Sequence, residues 1–414
     1  GRRRMAAITL VDARETHLWK PLLHEVAAGT MNAYGDELSY LALAKWNDFR
    51  FCLGEMAGLD RRRHEIELAP LQDEHGSEYV AQRRVGYDSL VLAVGSVTND
   101  FGLPGVAEHC FALDTREQAD KFHKRVLRAC FAANLQPGAP RDGQLHIAIA
   151  GAGATGVELA AELCDLREAL AEHEMERGDP VQEISISVIE GAPRILPGLP
   201  ERMADATREV LSRLRIAVIT GERIASATAD AFEIEGGPRI TSELKVWAAG
   251  IRGASWLATL DGLEVNRRGQ LVVDRYLHTT RDEQIYAFGD CAACALGSHG
   301  ELAPPRAQVA HQQAATLART LRAQVARGGG PFEFEYNDLG SLVNLSRYET
   351  VGKLMGKIFG KATGSLFIEG LLARWAYRSL YKAHRAALLG WWRASAETLA
   401  NLVGRRARAR VKLH

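Results

Sequence analysis

The chain has 414 residues, 47% of them apolar, with 51 basic and 51 acidic side chains and six cysteines. That length supports two or three domains around a large core. The balanced charge leaves no global nucleic-acid signature, and so few cysteines fit a reducing compartment better than a secreted disulfide framework. No run of 18 uncharged apolar residues is present, so no spanning helix is expected, and the basic start Gly1-Arg-Arg-Arg leads into a strand rather than an apolar targeting segment.

In chain order, Ala6–Asp12 reads as a buried strand ending in an acid, and Tyr87–Gly95 as a buried strand ending in glycine. A helix is expected over Asp114–Ala133, then a Pro/Gly-rich loop, Gln136–Gly143, that suits a boundary. His146–Ala150 is the next strand. It runs into Gly151-Ala-Gly153-Ala-Thr-Gly156 and a helix that reaches about Arg177. The strand Ile184–Glu190, a helix over Glu201–Leu214 and the strand Ile216–Thr220 come next, and then two strands turning at glycine, Leu244–Gly250 and Gln284–Asp290. Strands alternating with helices predict parallel sheets in an α/β protein.

The Gly151–Gly156 run is the strongest single signal. Gly-x-Gly-x-x-Gly between a strand and a helix is the dinucleotide fingerprint. The first glycine makes the tight turn, the second lets the backbone approach a pyrophosphate, and the third lets helix pack on strand. The helix N-terminus then offers free N–H groups to the phosphates.

Two halves echo each other. Ile8–Asp12 resembles Ile186–Glu190, and Leu90–Gly95 resembles Lys245–Gly250. This predicts a duplicated dinucleotide-binding unit whose second copy has its first strand and glycine turn, while the first copy begins at its second strand. In the doubly wound order 3-2-1-4 the first strand is central. The expectation is therefore an N-terminal truncation, with the first fingerprint upstream; the alternative is a first copy that binds nothing.

Asp12 and Glu190 each end a second strand, where an acid accepts hydrogen bonds from adenosine ribose hydroxyls and repels a 2′-phosphate, so Glu190 favours NADH over NADPH. An ordinary exposed acid is the alternative. Asp290, after Gly289, suits a flavin's ribityl hydroxyls or pyrophosphate, or else is a satisfied buried Asp. Glu158, two residues past the third glycine and expected in the first helical turn, could position a nicotinamide or relay protons; it could equally be an acid on the helix dipole. Gln308 and Gln312, four apart on a helix starting after Pro304-Pro305, offer donors and acceptors suited to quinone carbonyls, against a plain solvated face. Cys291-Ala-Ala-Cys294 reads as small-residue packing at a helix start rather than a redox pair. No metal site is expected.

The C-terminal stretch differs in composition. Leu366, Ile368, Leu371, Leu372, Trp375 and Leu380 are expected roughly on one helical stripe, and Arg374, Arg378 and Lys382 interleave with Tyr377 and Tyr381. A second helix would carry Leu388, Leu389, Trp391 and Trp392, and a basic tail runs from Arg405 to Lys412. Basic amphipathic helices with marginal Trp and Tyr suit an anionic lipid surface; a dimer interface or capping hairpin is the alternative.

Taken together, these residues resemble the bacterial type II NADH:quinone oxidoreductases, the single-subunit alternative NADH dehydrogenases. The similarity runs from Ile8 to His414. It is carried by His17–Gly29, Gly151–Glu162, Arg194–Pro200, Phe288–Asp290, Ala307–Gln312 and Tyr377–His414. The resemblance implies an α/β protein of two Rossmann-like FAD/NAD(P)-binding domains with a C-terminal membrane-docking region. The expected domains are FAD-binding at 1–115 with 265–345, NADH-binding at 116–264, and membrane association at 346–414. It implies non-covalent FAD, hydride transfer from NADH to the flavin, two electrons passed to a membrane quinone, and no proton pumping. It also implies a peripheral position on the cytoplasmic face of the inner membrane and a possible homodimer. By the same resemblance Asp12, Pro21, Gly95 and Asp290 lie by FAD, and Gly151, Gly153, Gly156, Glu190 and Gly250 by NADH. Glu158 lies near the nicotinamide, and Gln308 and Gln312 line the quinone site. A flavin disulfide reductase is set aside because Cys52 is the only early cysteine, and sulfide:quinone reduction because Cys110, Cys130 and Cys164 are poorly placed. A non-catalytic NADH-binding membrane protein that has lost FAD is the remaining alternative.

Overall fold

The computed structural model describes residues 6–31, 37–135, 141–175, 184–297, 300–326, 329–357 and 363–404. The Gln136–Gly143 loop in large part, the helix end at Arg177 and the basic tail Arg405–Lys412 lie outside them.

Fourteen strands and helices in the first three quarters of the chain, and six more after them, position the candidate residues. Thr9–Asp12 is β1, Leu23–Ala28 is α1, Arg50–Leu53 is β2 and Leu90–Leu92 is β3. Arg116–Leu135 forms α2, His146–Ala150 β4, Ala154–Met175 α3 and Ser185–Glu190 β5. Then come α4 (Glu201–Arg213), β6 (Ala217–Thr220), β7 (Leu244–Trp247), β8 (Leu271–Val273), β9 (Asp282–Ala287) and β10 (Ala292–Leu296). The chain continues through α5 (Ala307–Val325), β11 (Gly340–Leu345), β12 (Glu349–Lys357) and β13 (Thr363–Glu369), and ends in α6 (Gly370–Leu389) and α7 (Trp391–Gly404).

These elements form two compact units. The first comprises Gly1–His17, Glu37–Val97 and Ile251–Asp338, the second Leu18–Asp36, Thr98–Gly250 and Leu339–His414. The breaks fall near 97 and 250 rather than near 115 and 264. Residues 98–115 pack with the second unit because Phe111 extends its sheet, donating to the Lys245 carbonyl and accepting from the Trp247 N–H, both at 2.8 Å.

In the second unit β6, β5, β4 and β7 lie side by side and all parallel, with Ile149 opposite both Val188 and Val246. Read by chain order this is 3-2-1-4, the doubly wound arrangement. The strands are largely buried on both faces, with the polar Ser187 and Lys245 buried among Ile, Val and Leu. α3 packs against β4 and β5, and Val157, Leu159, Ala160, Ala161, Leu163, Cys164 and Leu166 are all fully buried. β11, β12 and β13 form an antiparallel sheet, and Trp19 stacks on Tyr381 and His384 of α6 at 5.6 and 5.0 Å.

In the first unit β1 pairs in parallel with β2, and β3 in parallel with β9 within a six-stranded sheet. Among the described residues β1 pairs only with β2 and β3 only with β9.

Three expectations require correction. Leu366 and Ile368 lie on β13, not on the helix. They alternate with Phe367 at the two-residue period of a strand, and Gly370, at φ +66°, ends it. Leu380, nine residues after Leu371 at about 100° per residue, falls about 180° from it around α6 and so leaves the stripe, though it is exposed too. Leu388 and Leu389 close α6, so α7 begins with Trp391.

Candidate functional site

The Gly151–Gly156 turn has the geometry that pyrophosphate binding needs. Gly151 sits at φ +98°, and a Cβ there would lie 2.6 Å from the Ala248 carbonyl oxygen. A Cβ on Gly156 would lie 2.0 Å from the Gly151 oxygen, so only glycine lets α3 start this close to β4. At Gly153 a Cβ would meet nothing within 4 Å. The middle glycine therefore clears space for something outside the protein, while its two neighbours allow close backbone packing. Glu190, at the carboxyl end of β5, reaches the turn. Its two oxygens accept from the Ala152 and Ala192 N–H groups at 2.8 and 2.9 Å. Gly250 comes just after β7 at the same edge of this sheet.

Glu158 is the fifth residue of α3, one turn further in than expected, and it is buried rather than lying on the dipole end. Its Oε1 accepts from Asn344 N–H at 2.9 Å, and its Oε2 lies 3.9 Å from His24 Nδ1. Burial pushes its carboxyl up to about 8. Glu162 and Asp165 continue the same face of the helix, four and seven residues on, and both are buried. Thr30 Oγ1 donates to Glu162 at 2.5 Å, and burial raises this carboxyl as well. Asp165 accepts from Ser346 at 3.4 Å and faces Arg347 at 3.0 Å. His24 is buried and its imidazole is lowered to about 4, mainly by desolvation. At neutral pH the cluster therefore holds a neutral imidazole beside a Glu158 carboxyl that burial keeps largely protonated. Sequence reasoning took Glu158 and missed His24, Thr30, Glu162 and Asn344. The acids at 158, 162 and 165 on an otherwise apolar helix were the signal that could have found them. Pro21 lies in the short 3-10 turn Lys20–Leu22 that leads into α1, which carries His24.

The first unit holds the other predicted residues. Asp12 ends β1, where Oδ1 accepts from Arg14 N–H at 2.8 Å and Oδ2 from Tyr40 OH at 3.1 Å. Gly95 has φ +70°, and a Cβ there would meet nothing within 4 Å. Asp290 accepts from Ser96 Oγ at 2.9 Å through its carboxylate and from Gln270 through its backbone oxygen. Gly289 N–H donates to Gln313 at 2.8 Å. An acid at the carboxyl end of β1, an open glycine bend and a fixed Gly-Asp turn fit the ribose and ribityl portions of FAD. Gln308 and Gln312 share one face of α5. Gln308 donates to Asp338 at 3.2 Å, and Gln312 exchanges two hydrogen bonds with the Asn337 backbone at 2.8 and 3.0 Å.

All six cysteines are free thiols. Cys291 and Cys294 are buried, with thiols raised by desolvation. They sit at a 3-10 turn and in β10, which corrects the expected helix start, and each Sγ meets backbone carbonyls. Among the described residues one group, His24, Glu25 and Glu162, has the proximity a metal ion requires.

Comparison with known proteins places this geometry. The pyridine nucleotide-disulphide oxidoreductase family matches residues 2–314. The fold is that of NDH2 from Plasmodium falciparum, solved with NADH, at a TM-score of 0.79 and 21% identity, covering 98% of this chain and 95% of that one. It also matches the sulfide:quinone oxidoreductase of Aquifex aeolicus at a TM-score of 0.70 and 14% identity, covering 92% and 85%. Fold and turn together thus define a pyridine-nucleotide-dependent flavoprotein oxidoreductase.

A relative from Haemophilus influenzae, a type II NADH:quinone oxidoreductase, is 39% identical over 427 residues, covering all of this chain and 95% of its own length. One of the same description from Staphylococcus aureus is 29% identical over 369 residues, covering 86% and 85%. The chain belongs to the type II NADH:quinone oxidoreductases: an NADH dehydrogenase that uses FAD and reduces a quinone.

Proposed function

We propose that the second unit holds NADH and the first holds FAD. The observation that carries the assignment is the contrast within the glycine turn, where Gly153 alone opens onto free space. The pyrophosphate lies over Gly153 at the start of α3, and Gly151 and Gly156 keep the backbone there. Glu190 exchanges its bonds to Ala152 and Ala192 for the adenosine ribose hydroxyls, and its charge excludes a 2′-phosphate. Asp12, Gly95 and Asp290 hold FAD. When bound, the flavin takes a hydride from NADH and passes two electrons to the quinone. Converting a quinone to a quinol with one hydride requires one further proton. Glu158 stores it at Oε2, because Oε1 is occupied by Asn344 N–H and His24 is too weak a base to take it. Gln308 and Gln312 orient the quinone carbonyls, with no proton pumped.

The surface supports docking on a membrane. No described helix is long and apolar enough to cross one. Leu371, Leu372 and Trp375 share an exposed face of α6, and Trp391 and Trp392 at the start of α7 are 76% and 91% exposed. Apolar and aromatic side chains flanked by Arg374, Arg378 and Lys382 suit an anionic lipid surface. The protein then sits on the cytoplasmic face of the inner membrane, with a homodimer compatible with that position.

Glu190→Ser tests the nucleotide assignment. Two charge-assisted ribose bonds are lost, so kcat/KM for NADH should fall by about tenfold or more, while that for NADPH falls less or rises. An unchanged ratio between the two nucleotides would contradict the assignment.

A further inference from the structure

Resting on the reading that the second unit holds NADH, we propose that Phe101 is the platform against which the nicotinamide half of NADH packs. The sheet order fixes the direction of the ligand. Glu190 ends β5 and the glycine turn comes directly after β4, so an adenosine at Glu190 with its pyrophosphate at the turn sends the other half of the dinucleotide towards β7. The chain leaves β7 through Ala248–Gly250, and the Phe101 ring stands over Gly250. A Cβ on Gly250 would lie 2.8 Å from Phe101 Cζ and 3.3 Å from Cε2.

Phe101 is 58% exposed, and its backbone is in the left-handed region at φ 53°, which a bulky side chain rarely adopts. The turn that holds it there is fixed on several sides. Phe101 N–H donates to Asn99 Oδ1 at 3.0 Å, and Gly102 N–H to Asp100 Oδ1 at 3.2 Å. Asn99 N–H donates to the Gly250 carbonyl at 2.9 Å, and Trp247 Nε1 donates to the Asn99 carbonyl at 2.8 Å. Gly105, just downstream, approaches Ala227 so closely that a Cβ would lie 1.9 Å from its carbonyl oxygen. The chain thus holds a strained residue rigidly in order to present an apolar ring to solvent, beside the strand end where half of a planar-ringed ligand has to pass. Strain kept in place by surrounding bonds, with a preorganised aromatic face, is how ligand contacts are built.

The test compares NADH with ADP-ribose, which has the adenosine, the pyrophosphate and a second ribose but no nicotinamide. Binding of each to the FAD-loaded protein, its flavin first reduced with dithionite so that NADH has no hydride acceptor, is titrated by calorimetry under anaerobic conditions for wild type, Phe101→Ala and Phe101→Tyr. The expected result is a Kd for NADH about five- to tenfold weaker in Phe101→Ala, unchanged affinity for ADP-ribose, and recovery in Phe101→Tyr. Equal loss for both ligands, or no loss for either, would overturn the role of Phe101 alone. A wild-type protein that binds neither ligand would overturn the NADH assignment on which the role rests. Thermal melting of Phe101→Ala separates loss of the contact from loss of the fold.

Discussion

Helices α3 and α5 each carry two polar side chains four residues apart, and the pairs behave differently. Glu158 and Glu162 are buried, and their partners are His24, Thr30 and the Asn344 backbone. Gln308 and Gln312 are half-buried and grip a single short segment, Asn337–Asp338. Burial acts on the first pair through charge, because an ionised carboxylate loses its hydration there. The second pair has no charge to lose, and its amides can trade one partner for another at little cost. The α3 pair is therefore suited to holding a proton and the α5 pair to exchanging hydrogen bonds with a carbonyl.

The largest way to break this contrast is Glu158→Gln, which keeps the shape and removes the charge. Glu158 titrates near 4.5 when unfolded and at about 8 when folded. The folded protein thus binds the extra proton across that interval, and this group's contribution to stability declines as pH rises from about 4.5 through about 8. His24, lowered from 6.5 to about 4, acts in the opposite sense, adding stability as pH rises through that window. Melting temperatures measured at pH 5 and at pH 9 should show the Gln variant gaining on wild type at the higher pH. Quinone reduction by the same variant should fall by more than about tenfold; a variant with wild-type turnover would remove Glu158 from the chemistry.

A smaller effect is expected from Thr30→Val, which deletes the 2.5 Å hydrogen bond to Glu162 and preserves volume. The loss should be about 1–2 kcal/mol in denaturant unfolding. Since Thr30 favours the ionised form of Glu162, the variant should hold its proton to still higher pH. Proton uptake on unfolding, followed by calorimetry in buffers of different ionisation enthalpy, would detect the change; identical uptake would show that Thr30 does not tune this group.

The smallest stability change is expected at α5. Gln308→Ala and Gln312→Ala should each cost about 1 kcal/mol or less, since the side chains are half-exposed. Their effect should appear in the quinone half-reaction and not in flavin reduction by NADH. Equal loss in both half-reactions would mean that the glutamines only secure Asn337–Asp338.

The same contrast governs how much of the molecule could be read from the chain. The glycine turn was legible because its roles are backbone roles, confined to six consecutive residues of which Gly151 and Gly156 leave no room for a Cβ. The parallel sheet of the second unit was legible because its strands alternate with helices along the chain. The acid cluster was legible only at Glu158, because its partners come from distant segments; the Thr30 and Asn344 bonds span 132 and 186 residues. Phe101 was hidden for a related reason: a lone aromatic residue in a turn has meaning only once Gly250 is known to lie beneath it. The β13 strand was taken for helix because apolar residues at 366, 368, 371, 372 and 375 satisfy a helical stripe loosely, and only the two-residue alternation before Gly370 separates the two.

One chain that carries electrons from NADH through FAD to a quinone has to show both half-reactions in a single protein. Rapid mixing of the purified, FAD-loaded protein tests this. NADH should bleach the flavin's visible absorbance, and a subsequent pulse of quinone should restore it, with one quinol formed per NADH oxidised. Flavin that bleaches but is not restored by quinone, or that NADH does not bleach at all, would contradict electron transfer along this path.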